Sequence, residues 1–142
     1  MARKTATIVI KDGRDKGKQF LVTEMPATEG ATLSFQVFQL LAESGIDLEI
    51  KSIDPIGILK AVIRALSTLP RADFEYYRDW LFKHIQWQSP TDVKAVRKVI
   101  LSDRDDSDIE DVMTILELMQ TALKLNLEDV FTGLKQRFQS LK

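Results

Sequence analysis

The sequence contains no cysteine, and that one absence removes several kinds of protein. A disulfide framework, a thiolate zinc site and a cysteine nucleophile are all excluded. Histidine is nearly absent too: His84 is the only one. It falls beside the apolar face of a predicted helix, with no Ser-His-Asp spacing around it, and reads as surface or boundary structure rather than as a general base. No apolar run approaches the roughly 20 residues that span a bilayer. The amino terminus, "MARKTATIVIKDG", is basic and then apolar, but Lys11-Asp12 interrupts it too early for a secretory signal. A net charge of −1 disfavours both disorder and bulk attraction to nucleic acid. What remains is one soluble, cytoplasmic domain over residues 1–142, long enough to bury about 70% of its unfolded surface.

The stretch "KDGRDKGKQF", Lys11 to Phe20, has the glycines and basic residues of a phosphate-binding loop. Such a loop needs Gly, four residues, Gly-Lys and then Ser or Thr, and it must open a helix whose amino-terminal dipole meets the anion. Here three residues separate Gly13 from Gly17, and Gln19 stands in place of the hydroxyl. The segments "TATIVI" (Thr5 to Ile10) and "KQFLVT" (Lys18 to Thr23) are rich in β-branched and aromatic residues and read as strands. Ile8 and Ile10 share one strand face, as do Phe20 and Val22. The prediction is a β-hairpin that must pack on helices or pair with another chain, because an isolated hairpin is marginal in water.

Beyond Met25-Pro26 the pattern turns helical. "TLSFQVFQLLAES" carries Leu33, Val37, Leu40 and Leu41 on one stripe, with Phe35 and Phe38 partly off it, and Gly45 stands at a carboxyl-cap position. A helix apolar on more than one side predicts thorough burial. "IDLEIKSI" fits a short strand or an extended link. Asp54-Pro55 caps a second helix with Ile56, Leu59, Val62, Ile63 and Leu66 at helical spacing, ended by Pro70. "ADFEYYRDWLFKHI" forms a third, with Phe74, Tyr77, Leu81 and Ile85 inward and Tyr76, Trp80 and Lys83 more exposed. "QWQSPTDVKAVRKVIL" fits either a short helix capped by Ser89-Pro90 or a strand. Ser107 and Glu110 have capping-box spacing and open a long helix through Ile109, Val112, Met113, Leu116, Met119 and Leu123. Leu127, Val130, Phe131, Leu134, Phe138 and Leu141 continue the stripe, weakened at Gly133. The fold class read from this is mainly α, a helix-dominated α+β arrangement with a β-hairpin at 1–26 and a helical body at 27–142.

Charge is unevenly placed. Residues 1–20 hold six basic side chains against Asp12 and Asp15, whereas residues 102–117 hold seven acidic ones against Arg104. Such poles can meet within the fold or between copies. The run "SDRDDSDIED" resembles a calcium loop from Asp103, but Asp108 occupies the position that needs Gly and Thr114 the one that needs a bidentate Glu. Helix capping accounts for the acids without metal. No catalytic, cofactor or metal set emerges, and the chain does not read as an enzyme. The candidate contact residues are Arg14, Lys16, Lys18, Asp105 and Asp106 at the poles. Trp80 and Trp87 join them as possible anchors, although core packing is the simpler role for both.

"VIKDGRDKGKQFLVTEMPAT", residues 9–28, resembles the amino-terminal region of a group of tail assembly chaperones of long-tailed bacteriophages and prophages. The matching features are Lys11-Asp12, Gly17-Lys18, Phe20 and Glu24-Met25-Pro26-Ala27. "QLLAESGID" and "SDIEDVMTILELMQTALKLNLEDVF" fit more loosely, and residues 50–100 do not match. Where the group carries a Glu-Lys-Trp segment, this chain has "TEGATLSFQ". The resemblance implies a non-enzymatic protein of the host cytoplasm, absent from the finished virion. It would self-associate and hold the tape measure protein, a long helical chain, while tail-tube subunits polymerise around it. The alternative is a small nucleic-acid-binding regulator using the basic hairpin as a β-ribbon.

Overall fold

A computed structural model describes residues 3–43 and 55–140. The expected hairpin is present: β1 (Thr5–Val9) and β2 (Gln19–Thr23) run antiparallel with Thr7 opposite Leu21. Its turn uses Gly13 and Gly17 at φ of 82° and 90°, a region closed to most side chains. The Gly17 amide donates to the Ile10 carbonyl at 2.8 Å and the Lys18 amide to that of Asp15 at 3.0 Å. Strand alternation turns Phe20 and Val22 inward, and both are wholly buried.

Helices dominate and the hairpin is in place, as expected, but the body beyond the hairpin is not purely helical, which corrects that part of the reading. A second hairpin, β3 (Ile85–Gln88) and β4 (Val96–Lys98), joins the first in a four-stranded antiparallel sheet of order β1-β2-β3-β4. β3 pairs directly with β2, Phe20 opposite Trp87 and Val22 opposite Ile85. Ile85, assigned from its spacing to a helix face, is instead a buried strand residue. Its β-branched side chain fills the inward row beside Val22, and β3 supplies hydrogen-bond partners to the second edge of β2.

Between the hairpins lie α1 (Ala27–Glu43), α2 (Pro55–Leu66) and α3 (Arg71–Phe82), and α4 (Val112–Ser140) closes the chain. α1 begins directly after Pro26, five residues ahead of the predicted segment. α2 ends at Leu66, so Pro70 does not terminate it but precedes α3. Gly45, the segment 46–53 and Asp54 lie outside the described residues. α4 is the hub: it contacts the other three helices and both strands of the first hairpin. Leu118, Leu123, Leu127 and Phe131 from α4 meet Leu33, Val37 and Leu41 from α1 and Val62 from α2 in one core.

Two predictions about this last helix need correction. It starts at Val112, not near Ser107, because the amides of Glu110 and Asp111 are drawn to Asp15 and the Asp111 carboxylate accepts the Met113 amide at 3.0 Å as the helix cap. Ser107 folds its own loop instead, taking the Ile109 amide at 3.4 Å. Nor is the whole predicted stripe core: Leu123 is buried, but Leu116 is 42% exposed. Val112, Met113 and Leu116 share the outer face of the helix, opposite the buried Thr114 and Leu118, and Val112 and Met113 are exposed as well.

Candidate functional site

The two charge poles do meet inside the chain, through a residue with no obvious sequence signal. Asp15, in the hairpin turn, is wholly buried. Its carboxylate accepts the Glu110 amide at 3.0 Å, the Asp111 amide at 2.9 Å and the Lys18 ammonium at 2.9 Å. Burial by itself pushes the Asp15 carboxyl up, but Lys18, the two amides and the Thr114 hydroxyl outweigh it and hold it down at about 2. Lys18 also donates to the Asp108 carbonyl at 2.8 Å. The Asp108 carboxylate grips Arg97 through two bonds of 2.8 and 2.6 Å and takes the Ile100 amide at 2.6 Å. Arg97 in turn lies over the Trp87 ring, 4.5 Å from its centre. This chain of contacts clamps the acidic loop between the two hairpins and sets the start of α4.

The candidate contact residues thus fall into distinct settings. Lys18 and Trp87 are half-buried within the clamp, and Lys18 is committed to internal partners. Arg14, Lys16, Asp105 and Asp106 are exposed. Arg14 lines a shallow cleft together with Asp103, Asp105 and Glu110. Among the described residues no three acidic or histidine side chains converge as a metal site.

Trp80, expected on the exposed flank of α3, is buried. Its indole N–H donates to Glu29 Oε1 at 2.6 Å, and His84 Nε2 meets the same oxygen at 2.8 Å. The His84 contact, opposed by burial and reinforced by Trp80, holds the Glu29 carboxyl below the ordinary carboxylate range. Glu29 lies in the first turn of α1, where the helix dipole also favours a negative charge. One acid therefore joins α1 to the end of α3, a structural use of both the tryptophan and the lone histidine.

A concavity of about 630 Å³ lies between α1 and α4. Its α1 wall presents Ala27, Gly30, Ala31 and Ser34, then Phe35 and Phe38, while α4 supplies Asn126 and Val130, and the charged Arg3 and Glu24 flank it from the ends of the first hairpin. Small residues keep this wall low. Beneath them the Asn126 amide oxygen accepts the Met25 N–H at 2.9 Å and its NH₂ donates to the Ala122 carbonyl at 2.8 Å, so the polar groups of the floor are already paired. Phe38 packs edge-on against Phe131, centroids 5.2 Å apart. Phe35 is 74% exposed, which overturns the expectation of a well-buried helix. An exposed phenylalanine beside an apolar groove suits contact with another chain.

Fold and groove together define a helix-and-sheet domain whose distinctive surface is an apolar trough between two helices. The family model of phage tail assembly chaperone protein, TAC, matches residues 16–139. The chain belongs to that family, and its role is that of a chaperone in tail assembly. No curated protein and no solved structure matches the chain. No described helix is long and apolar enough to cross a membrane.

Proposed function

We propose that the chain binds the tape measure protein in the host cytoplasm and keeps that long helical client from aggregating while the tail tube polymerises. The observation that carries this reading is the trough between α1 and α4, with Phe35 standing 74% exposed at its edge. An amphipathic client helix would lay anchors at i, i+3, i+4 and i+7 along such a groove, burying Phe35 and Val130. Several copies would line one client, with the exposed Arg14 and Lys16 of one copy facing Asp105 and Asp106 of the next. The protein acts without catalysis and leaves before the virion is complete.

The nucleic-acid reading is weaker. Arg14 shares its cleft with Asp103, Asp105 and Glu110, so an approaching phosphate would meet carboxylates beside the hairpin turn.

Co-expression with the tape measure protein tests the proposal. The client should be soluble and recoverable in complex with the wild-type chain. Phe35→Glu should fold normally, because the side chain it replaces is mostly in water, and should lose the client. A client that stays insoluble beside the wild-type chain, with no complex recovered, overturns the reading.

A further inference from the structure

The two outer edges of the sheet are treated very differently. β4 has only three residues, two of them Arg97 and Lys98, and the chain beyond it is covered: Ile100 exchanges bonds with the Asp108 carboxylate and amide, at 2.6 and 2.9 Å. β1 has none of these protections. Its sequence, Thr-Ala-Thr-Ile-Val, contains no charge and no proline, and among the described residues it pairs with β2 alone. The Glu24 amide bonds the Lys4 carbonyl and the Ile10 amide bonds that of Lys18. By antiparallel alternation the even-numbered residues therefore face β2, while Thr5, Thr7 and Val9 turn their N–H and C=O groups outward. The side chains of all three are exposed, and Val9 is 44% accessible. An uncovered edge of this kind is a template for an added strand.

Charge decides what fits it. The edge begins after Arg3 and Lys4 and runs out into Lys11, with Arg14 and Lys16 beyond, all exposed. Lys4 is paired with Asp129 and Arg14 shares its cleft with Asp103, Asp105 and Glu110; Arg3, Lys11 and Lys16 have no ion-pair partner among the described residues. A second copy, paired about Thr7 in the antiparallel register that uses all three outward residues, would bring Arg3 directly opposite Lys11 of its mate. Like charges directly opposed destabilise a strand pair. The same charges attract a strand with carboxylates at its ends. On the inward side the new strand would lie next to Ala6 and the half-buried Ile8, which extends the core.

We infer that β1 is a receptor edge for an extended segment of another protein, one with β-branched or apolar residues inward and Asp or Glu at both ends. Main-chain bonds from Thr5, Thr7 and Val9 would supply the affinity, and the basic rim the selectivity. This surface meets the helical trough only at Arg3, which lines both, and does not depend on the tape measure reading.

The probe is a short synthetic peptide of alternating threonine and valine with two glutamates at each end, compared with the same peptide ending in lysines. At low salt the glutamate form should bind at least about tenfold more tightly, and it should slow exchange of the Thr5, Thr7 and Val9 amides. Thr7→Pro removes an outward N–H and no bond of the native ladder, so it should keep the melting temperature and lose peptide binding. Lys11→Glu, which leaves the strand itself intact, should weaken the glutamate peptide and strengthen the lysine one, and it decides the matter if Thr7→Pro does not fold. The inference is overturned by equal binding of the two peptides, by no binding, or by binding indifferent to Thr7→Pro. A dimer that Thr7→Pro abolishes would equally overturn it, by assigning the edge to a second copy.

Discussion

Asp15→Asn removes one charge from the buried clamp and keeps nearly the same shape. The Asp15 carboxyl sits at about 2 in the folded chain against an ordinary 3.8, and at about 1.4 kcal/mol per unit the difference is worth about 2 kcal/mol near neutral pH. Because the folded group is the more acidic, this contribution is complete above the unfolded value and fades as pH falls through the folded one. Asp15→Ala goes further, leaving the Glu110 and Asp111 amides and Lys18 without their acceptor. Removing one partner of a buried pair costs about 3–5 kcal/mol, a large share of the roughly 5–15 kcal/mol that holds a domain. For a chain of this size about 3 kcal/mol lowers the melting temperature by roughly 10 °C. Thermal melts by circular dichroism at neutral pH should rank wild type above Asp15→Asn above Asp15→Ala. The stability gap between wild type and Asp15→Asn should close in acid, between the ordinary carboxylate pKa and about 2. Glu29 and Asp108, both also held low, remain in each protein and cancel in that comparison. If Asp15→Ala melts within about 2 °C of wild type, or if the gap to Asp15→Asn persists below pH 2, the clamp does not carry the energy assigned to it.

Other outcomes follow from the same geometry. Gly13→Ala should lower stability by about 1–3 kcal/mol in a denaturant titration, because a side chain there must adopt a φ of 82° and would overlap the Asp111 carboxylate; a neutral result would mean the turn re-forms elsewhere. Leu123→Ala should cost about 2–5 kcal/mol whereas Leu116→Ala, at a position 42% exposed, should cost under about 1 kcal/mol, and equal melting temperatures for the two would refute the placement of α4. If neighbouring copies associate through their poles, sedimentation should show assemblies that shrink as salt shortens the screening length from about 10 Å at 0.1 M to about 3 Å at 1 M. Reversing Arg14 and Lys16 to Glu should have the same effect, and assemblies indifferent to both would assign association to apolar surfaces.

Much of this protein was legible in the order of its residues. The hairpin followed from two β-rich runs around "KDGRDKG", and the inward stripe of α1 from Leu33, Val37, Leu40 and Leu41, because period-two and period-3.6 patterns are local signals that packing reinforces. The motifs around Gly17-Lys18 and Met25-Pro26-Ala27 pointed to the family that the match over residues 16–139 bears out. Other features were decided only when distant segments met. "SDRDDSDIED" offers several side chains able to cap a helix, and nothing local chooses among them. Asp15 chooses, from 96 residues away, by accepting the Asp111 amide and so fixing where α4 begins. Ile85 and Trp87 suit helix or strand alike, and the open edge of β2 settled them as strand by offering backbone partners. Phe35 looked like core because it is phenylalanine on an apolar helix; it is exposed because α1 turns Leu33, Val37, Leu40 and Leu41 into the core and leaves Phe35 at the edge of the trough. Local pattern specifies what a segment can form, whereas burial, capping and the free edge at β1 depend on which surfaces the rest of the chain has already covered.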